Sequence, residues 1–154
     1  MTNHQVYLGL GSNLGDCRKN LERAIRLIGD RVGQVTRQSS FIETEPWGFE
    51  SPHKFMNAVI LCETTRSPRE VLLLTQQIER DMGRRKMVNG QWSMVNGQRI
   101  YADRPIDIDI LLYDDVTIDE PDLKIPHPLM HQRDFVMRPL NEIKTTKTTK
   151  TTET

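Results

Sequence analysis

Residues 104–113 read Arg104-Pro105-Ile106-Asp107-Ile108-Asp109-Ile110-Leu111-Leu112-Tyr113, and this run constrains the fold more than any other. Alternate side chains of a strand share a face, so Ile106, Ile108, Ile110 and Leu112 fall on one side. Asp107 and Asp109 fall together on the other. The aliphatic face requires a covering layer of helices, and the acidic face requires an open side. Aspartate fits a pleated strand poorly, and two on one face repel each other without a counter-charge. Their Cα atoms should lie about 7 Å apart. That separation suits one shared cation or two neighbouring ones, and magnesium carrying ATP phosphates is the usual occupant where carboxylates are few. A calcium loop of the EF-hand type, with its central glycine and terminal glutamate, does not match.

The remaining patterns supply the covering layer. Residues 5–10 alternate Val6, Leu8 and Leu10 with Gln5, Tyr7 and Gly9, a period-two strand. Residues 9–15 then read as a tight strand-to-helix turn, with Asp16 as helix cap and Leu21, Ala24, Ile25 and Ile28 at helical spacing. Gly29 or Gly33 ends that helix. Residues 35–44 and 55–64 read as strands. Ser67, Pro68 and Glu70 form a capping-box start for a helix whose apolar face is Val71, Leu74, Ile78 and Met82, with Gly83 as its stop. Asp114-Asp115 is a turn after the acidic strand, with residues 116–118 a short return strand. One short helix is expected near residues 130–137. The order βαββαβ predicts a ferredoxin-like α+β sandwich, with an antiparallel sheet, helices on one face and ligand-binding loops on the other. The expected domain spans residues 1–143. Residues 144–154, almost all Lys and Thr, form a low-complexity tail expected to be disordered.

Composition narrows the function classes. Of 154 residues, 21 are Lys or Arg and 21 Asp or Glu, so no overall field favours nucleic acid or an anionic membrane. Two cysteines are too few for a disulfide framework. No apolar run is long enough for a membrane span, and the N-terminus lacks a signal-peptide pattern, so a soluble cytoplasmic protein is expected. Within this neutral chain the stretch 83–105 carries Arg84, Arg85, Lys86, Arg99 and Arg104 against Asp103 alone. A loop that long is usually functional or disordered. Basic side chains joined to the acidic strand can close over a metal-bound triphosphate, as arginine binds phosphate oxygens bidentately. A hairpin inside it would turn at Asn89-Gly90 or Asn96-Gly97. Phe55 and Asn57 share a strand face and suit a flat heterocycle, although core packing with a bonded amide fits equally.

In combination these segments resemble 6-hydroxymethyl-7,8-dihydropterin pyrophosphokinases of folate biosynthesis, from Val6 to about Ile143. The resemblance is carried by residues 8–16, by Phe55-Met56-Asn57-Ala58-Val59 and by Ile78-Glu79-Arg80-Asp81-Met82-Gly83-Arg84. It continues through residues 104–111, Pro126-His127-Pro128 and Arg133-Asp134-Phe135-Val136. It implies transfer of pyrophosphoryl from ATP to the pterin hydroxymethyl group, with AMP leaving and two magnesium ions held by Asp107 and Asp109. Gln76, Glu79, Arg84, Arg104, Ile110, His127 and Arg133 are the implied ATP contacts, with Arg84 and Arg104 joining the aspartates in catalysis. Thr44, Pro46, Gly48, Phe55, Asn57, Asp107 and Phe135 are the implied pterin contacts, Phe55 and Phe135 sandwiching the ring. The implied partners are the two small substrates, with no nucleic acid, no membrane and a monomeric chain.

Two other classes compete. A nucleotidyltransferase also combines a Gly-Ser turn with an Asp-x-Asp strand, but there the pair should follow the turn closely. An RNA-binding ferredoxin-like module should show exposed aromatics and a basic sheet face, whereas this strand is acidic.

Overall fold

The computed structural model describes residues 3–44, 54–83, 94–95, 98–99 and 105–152, with side chains described through Lys144 except at 94–95 and 98–99. The central sheet has the order β2 (Gln34–Gln38), β4 (Phe55–Thr64), β1 (His4–Ser12), β7 (Asp107–Tyr113), and every neighbouring pair is antiparallel. A short β3 (Ile42–Thr44) also pairs with β4. Helices α1 (Cys17–Arg31) and α2 (Pro68–Asp81) join these strands in the βαββαβ order of a ferredoxin-like α+β fold.

Local chemistry fixes both helices. The Asp16 side chain accepts the Lys19 N–H at 3.2 Å, and α1 buries Leu21, Ala24 and Ile28. It runs past Gly29 and stops at Val32, one residue before Gly33. Ser67 and Glu70 make both bonds of the capping box, with Pro68 opening α2. The buried face of α2 is Val71, Thr75, Ile78 and Glu79, while Leu74 is only half buried. Both helices cover a core built on Val6, Leu8 and Leu10 of β1 and Ile108 and Ile110 of β7.

Four features differ from the pattern read in the sequence. Residues 9–12 belong to β1, so the turn contains only the residues from Asn13 to the Asp16 cap, with Asn20 Nδ2 donating to Ser12 Oγ and Leu14 O. The strand expected over 35–44 breaks between β2 and β3, where Ser39 exchanges bonds with Val59 through its amide and hydroxyl, both at 2.9 Å. Leu112 does not face the helices. A bulge at Leu111 shifts the register against β1, so Leu111 and Leu112 both turn to the opposite face and Tyr113 takes the helix side. The segment after the Asp114-Asp115 turn does not return along β7. It forms β8 (Ile118–Glu120), which pairs with β9 (Leu123–Ile125).

The second sheet face is divided. After a 3₁₀ turn (Met130–Gln132), α3 (Asp134–Thr152) lays Val136, Leu140 and Ile143 on Tyr7, Val59, Leu61 and Leu111. The short helix expected near residue 130 is thus a long one that covers half of the face left open by α1 and α2. Ile143 is buried against this second core. The helical backbone itself continues into the Lys/Thr segment. In the long basic segment, β5 (Met94–Val95) pairs with β6 (Gln98–Arg99), so the second Asn-Gly pair lies between them. Cys17 and Cys62 are free thiols, and burial pushes Cys62 up to about 11, which keeps it protonated and inert. No helix among the described residues is long and apolar enough to cross a membrane.

If α3 is held by this second core, Leu140→Ala should cost about 3 kcal/mol in urea unfolding. Leu73→Ala, on the outer face of α2 and 63% exposed, should stay within about 0.5 kcal/mol. Equal losses would contradict the packing described.

Candidate active site

The half of the second face that α3 leaves uncovered is a cavity of about 210 Å³. Its floor is the sheet itself. Gly9 and Gly11 of β1 lie opposite Asp109 and Asp107 of β7, and Gly11 also lies opposite Asn57 of β4. A Cβ at Gly11 would stand 3.0 Å from Asn57 Oδ1 and 3.5 Å from the Phe55 ring, so the absent side chain keeps that corner open. Asp107 and Asp109 are half buried, and both line the cavity, whereas Ile108 between them is buried on the helix side. The alternation read in the sequence therefore holds where it matters most.

The cavity gathers Thr44, Phe55, Asn57, Asp107, Asp109, His127, Arg133 and Phe135 from the expected set. The two sides of the space differ in chemistry. Around Phe55 and Phe135, Asn57 Nδ2 donates to Thr44 Oγ1 at 2.7 Å, which fixes the amide and leaves its oxygen on the Gly11 side. Around the aspartates the groups are cationic or bond-donating. Arg133 Nη1 and His127 Nε2 each stand 3.9 Å from Asp109 Oδ2, beyond hydrogen-bond length. The Asp109 side chain keeps 28% of its surface accessible. The Arg133 guanidinium also lies 5.6 Å from the Phe135 ring centroid, at the junction of the two sides.

His127 is built as a neutral donor. Its own N–H donates to Leu111 O at 3.0 Å, tying the loop to the bulge of β7. Its Nδ1 accepts the Leu129 N–H at 3.3 Å, so the proton of the neutral ring sits on Nε2, the atom nearest Asp109. Burial first, and then the Arg133 charge, lower its pKa from 6.5 to about 4, against an opposing pull from Asp107. The ring is uncharged at neutral pH.

Three expected positions do not line the cavity. Ile110 is buried in the helix-side core, Gln76 is half buried on α2, and Glu79 is buried on α2 with Oε2 accepting the Ile108 N–H at 2.7 Å. Ile110 and Glu79 thus lie on the helix side of β7. Pro46, Gly48, Arg84 and Arg104 lie outside the described residues, as do Trp47, Arg85, Trp92 and the side chain of Arg99. The sequence reading missed Gly9, Gly11 and Leu129 as cavity residues. The small residues at alternate positions of β1 were the available signal.

The lowered His127 value carries a stability consequence. The unfolded chain takes up this proton near pH 6.5 and the folded chain resists it until about pH 4. The contribution is therefore complete above pH 6.5 and is lost as pH falls through that window. His127→Gln should lose less stability than the parent between pH 7 and pH 4 in urea unfolding. Identical pH dependence in both would show that His127 does not hold this role.

Comparison with known proteins identifies the family. Residues 7–145 match the family model for 7,8-dihydro-6-hydroxymethylpterin-pyrophosphokinase. A 2-amino-4-hydroxy-6-hydroxymethyldihydropteridine pyrophosphokinase of Porphyromonas gingivalis is 48% identical over 139 residues, 90% of this chain and 89% of the relative. The protein of the same name from Bacillus subtilis is 38% identical, over 92% of this chain and 78% of its own. Among solved structures, an HPPK-DHPS protein in complex with substrates superposes with a TM-score of 0.73 at 15% identity, over 93% of this chain and 40% of that one. The HPPK-DHPS protein of Plasmodium falciparum gives 0.69 at 17% identity, over 91% and 40%. Those two likenesses speak to the fold, and the family match and closer relatives speak to descent: this chain belongs to the 7,8-dihydro-6-hydroxymethylpterin pyrophosphokinase family.

Proposed function

We propose that the chain transfers the pyrophosphoryl group of ATP to the hydroxymethyl oxygen of 6-hydroxymethyl-7,8-dihydropterin, releasing AMP, as a cytoplasmic magnesium-dependent enzyme of folate biosynthesis. The observation that carries this reading is the pair Asp107 and Asp109, on one face of β7, opening into a cavity with an aromatic-amide side and a cationic side.

The donor set fits magnesium. No group of three or more His, Cys, Asp or Glu gathers among the described residues. Magnesium is commonly held by one or two carboxylates together with substrate phosphates and water, so Asp107 and Asp109 suffice to hold the ions. When bound, two ions would neutralise phosphate charge and orient the attacking oxygen.

The chain's own residues do the rest. Phe55 and Phe135 hold the pterin ring between them, and the Asn57 oxygen, oriented by Thr44, accepts a ring N–H. Pro46 and Gly48, outside the described residues, are further pterin contacts in this reading. Neutral His127 donates from Nε2 to a phosphate oxygen without adding charge, and Arg133 supplies charge beside it. Arg84 and Arg104 bind the triphosphate from the basic segment. Gln76 and Ile110, which do not line the cavity, stay in this reading as nucleotide contacts implied by the family resemblance alone. In-line transfer of this kind depends on positioning and charge neutralisation rather than on a covalent intermediate.

Incubation with ATP, magnesium and the reduced pterin alcohol should yield AMP and the pterin diphosphate. Release of pyrophosphate instead of AMP would overturn the assignment. Asp107→Ala and Asp109→Ala should each lower turnover by on the order of a thousandfold while unfolding like the parent. Near-normal AMP formation by either variant would remove the aspartates from the site.

A further inference from the structure

We propose that Glu79 is the positioning residue of the acidic pair, gripping β7 through the Ile108 amide and so fixing the directions in which Asp107 and Asp109 leave the strand. The inference rests on the reading of that pair as the cation and nucleotide site.

Among the described residues β7 is the edge of the sheet, paired with β1 on one side only. An edge strand with one ladder opens more readily than a central one, which is a liability for a strand that must hold two carboxylates in register. Ile108 lies between the two aspartates, and its N–H is given to Glu79 Oε2 rather than to another strand. A carboxylate acceptor makes this a short, charge-assisted bond, stronger than a neutral backbone pair. Rotation of the peptide planes around Ile108 would swing both aspartates, so one bond at this residue steers the pair.

Glu79 is a buried carboxylate whose placement carries a desolvation cost. It is 4% exposed, on the same helix face as Val71 and Ile78. An apolar side chain would fill that position without the desolvation of a carboxylate. At the other end of the same strand, Tyr113 Oη donates to Arg66 O at 2.5 Å, just before α2 begins. β7 is therefore held at two points, by α2 beside the acidic pair and by the segment leading into α2 at the far end.

Two variants separate reach from charge. Glu79→Gln keeps the length of the side chain and a carbonyl acceptor while losing the charge, and Glu79→Asp keeps the charge but withdraws the acceptor by one methylene. Each is compared with the parent by manganese binding in the presence of a non-hydrolysable ATP analogue, and by hydrogen exchange of the Ile108 amide. Glu79→Asp should weaken manganese binding about tenfold and speed exchange at Ile108. Glu79→Gln should lose less than about threefold and keep the amide protected. Parent-like manganese affinity in Glu79→Asp, or a larger loss in Glu79→Gln, overturns the proposal. Failure of the parent itself to bind manganese with the analogue overturns the reading of the acidic pair, and this inference with it.

Discussion

The arrangement depends on one strand facing two ways. β7 buries Ile108 and Ile110 beneath α1 and α2 and presents Asp107 and Asp109 to the opposite side. The burial anchors the strand and the pleat then delivers the carboxylates, without any loop having to hold them. Sites on strands are held more precisely than sites on loops, and a reaction that relies on alignment benefits from that. The open face also needs a floor on which a ligand can approach the backbone, and Gly9 and Gly11 of the neighbouring strand provide it.

The bulge at Leu111 marks where the site ends and the scaffold begins. On one side of it the second face carries acidic residues and stays open. On the other, Leu111 and Leu112 both turn toward α3, which packs there through Val136, Leu140 and Ile143. The same carbonyl of Leu111 receives the His127 amide, so the residue that redirects the strand also seats the histidine loop at the cavity wall. Arg133, at the start of α3, reaches the cavity from the same boundary. One irregularity in the ladder thus serves both packing and the placement of two candidate phosphate contacts.

How much of this was legible in the sequence follows from how local each determinant is. The Ser67-Pro68-Glu70 start of α2 and the Asp107/Asp109 alternation are set by neighbours within a few residues, and both stand as read. The side taken by Leu112 depends on pairing with β1, about a hundred residues away, so no local pattern could reveal the bulge. Residues 9–12 looked like turn because glycines punctuate loops, yet in this pairing they are strand residues whose missing side chains make space. The extent of α3 was hidden by Pro139 and by the Lys/Thr composition beyond it, although Val136, Leu140 and Ile143 already stood at helical spacing. Glu79 was read as a ligand contact. Its bond to Ile108 arises from helix-on-sheet packing that no motif encodes.

Anomalous scattering from crystals grown with manganese and a non-hydrolysable ATP analogue would test the central claim most directly. The account predicts two metal peaks beside the carboxyl groups of Asp107 and Asp109, each also in contact with phosphate oxygens. Metal bound elsewhere, or nucleotide phosphates resting on the opposite face of the sheet, would contradict it.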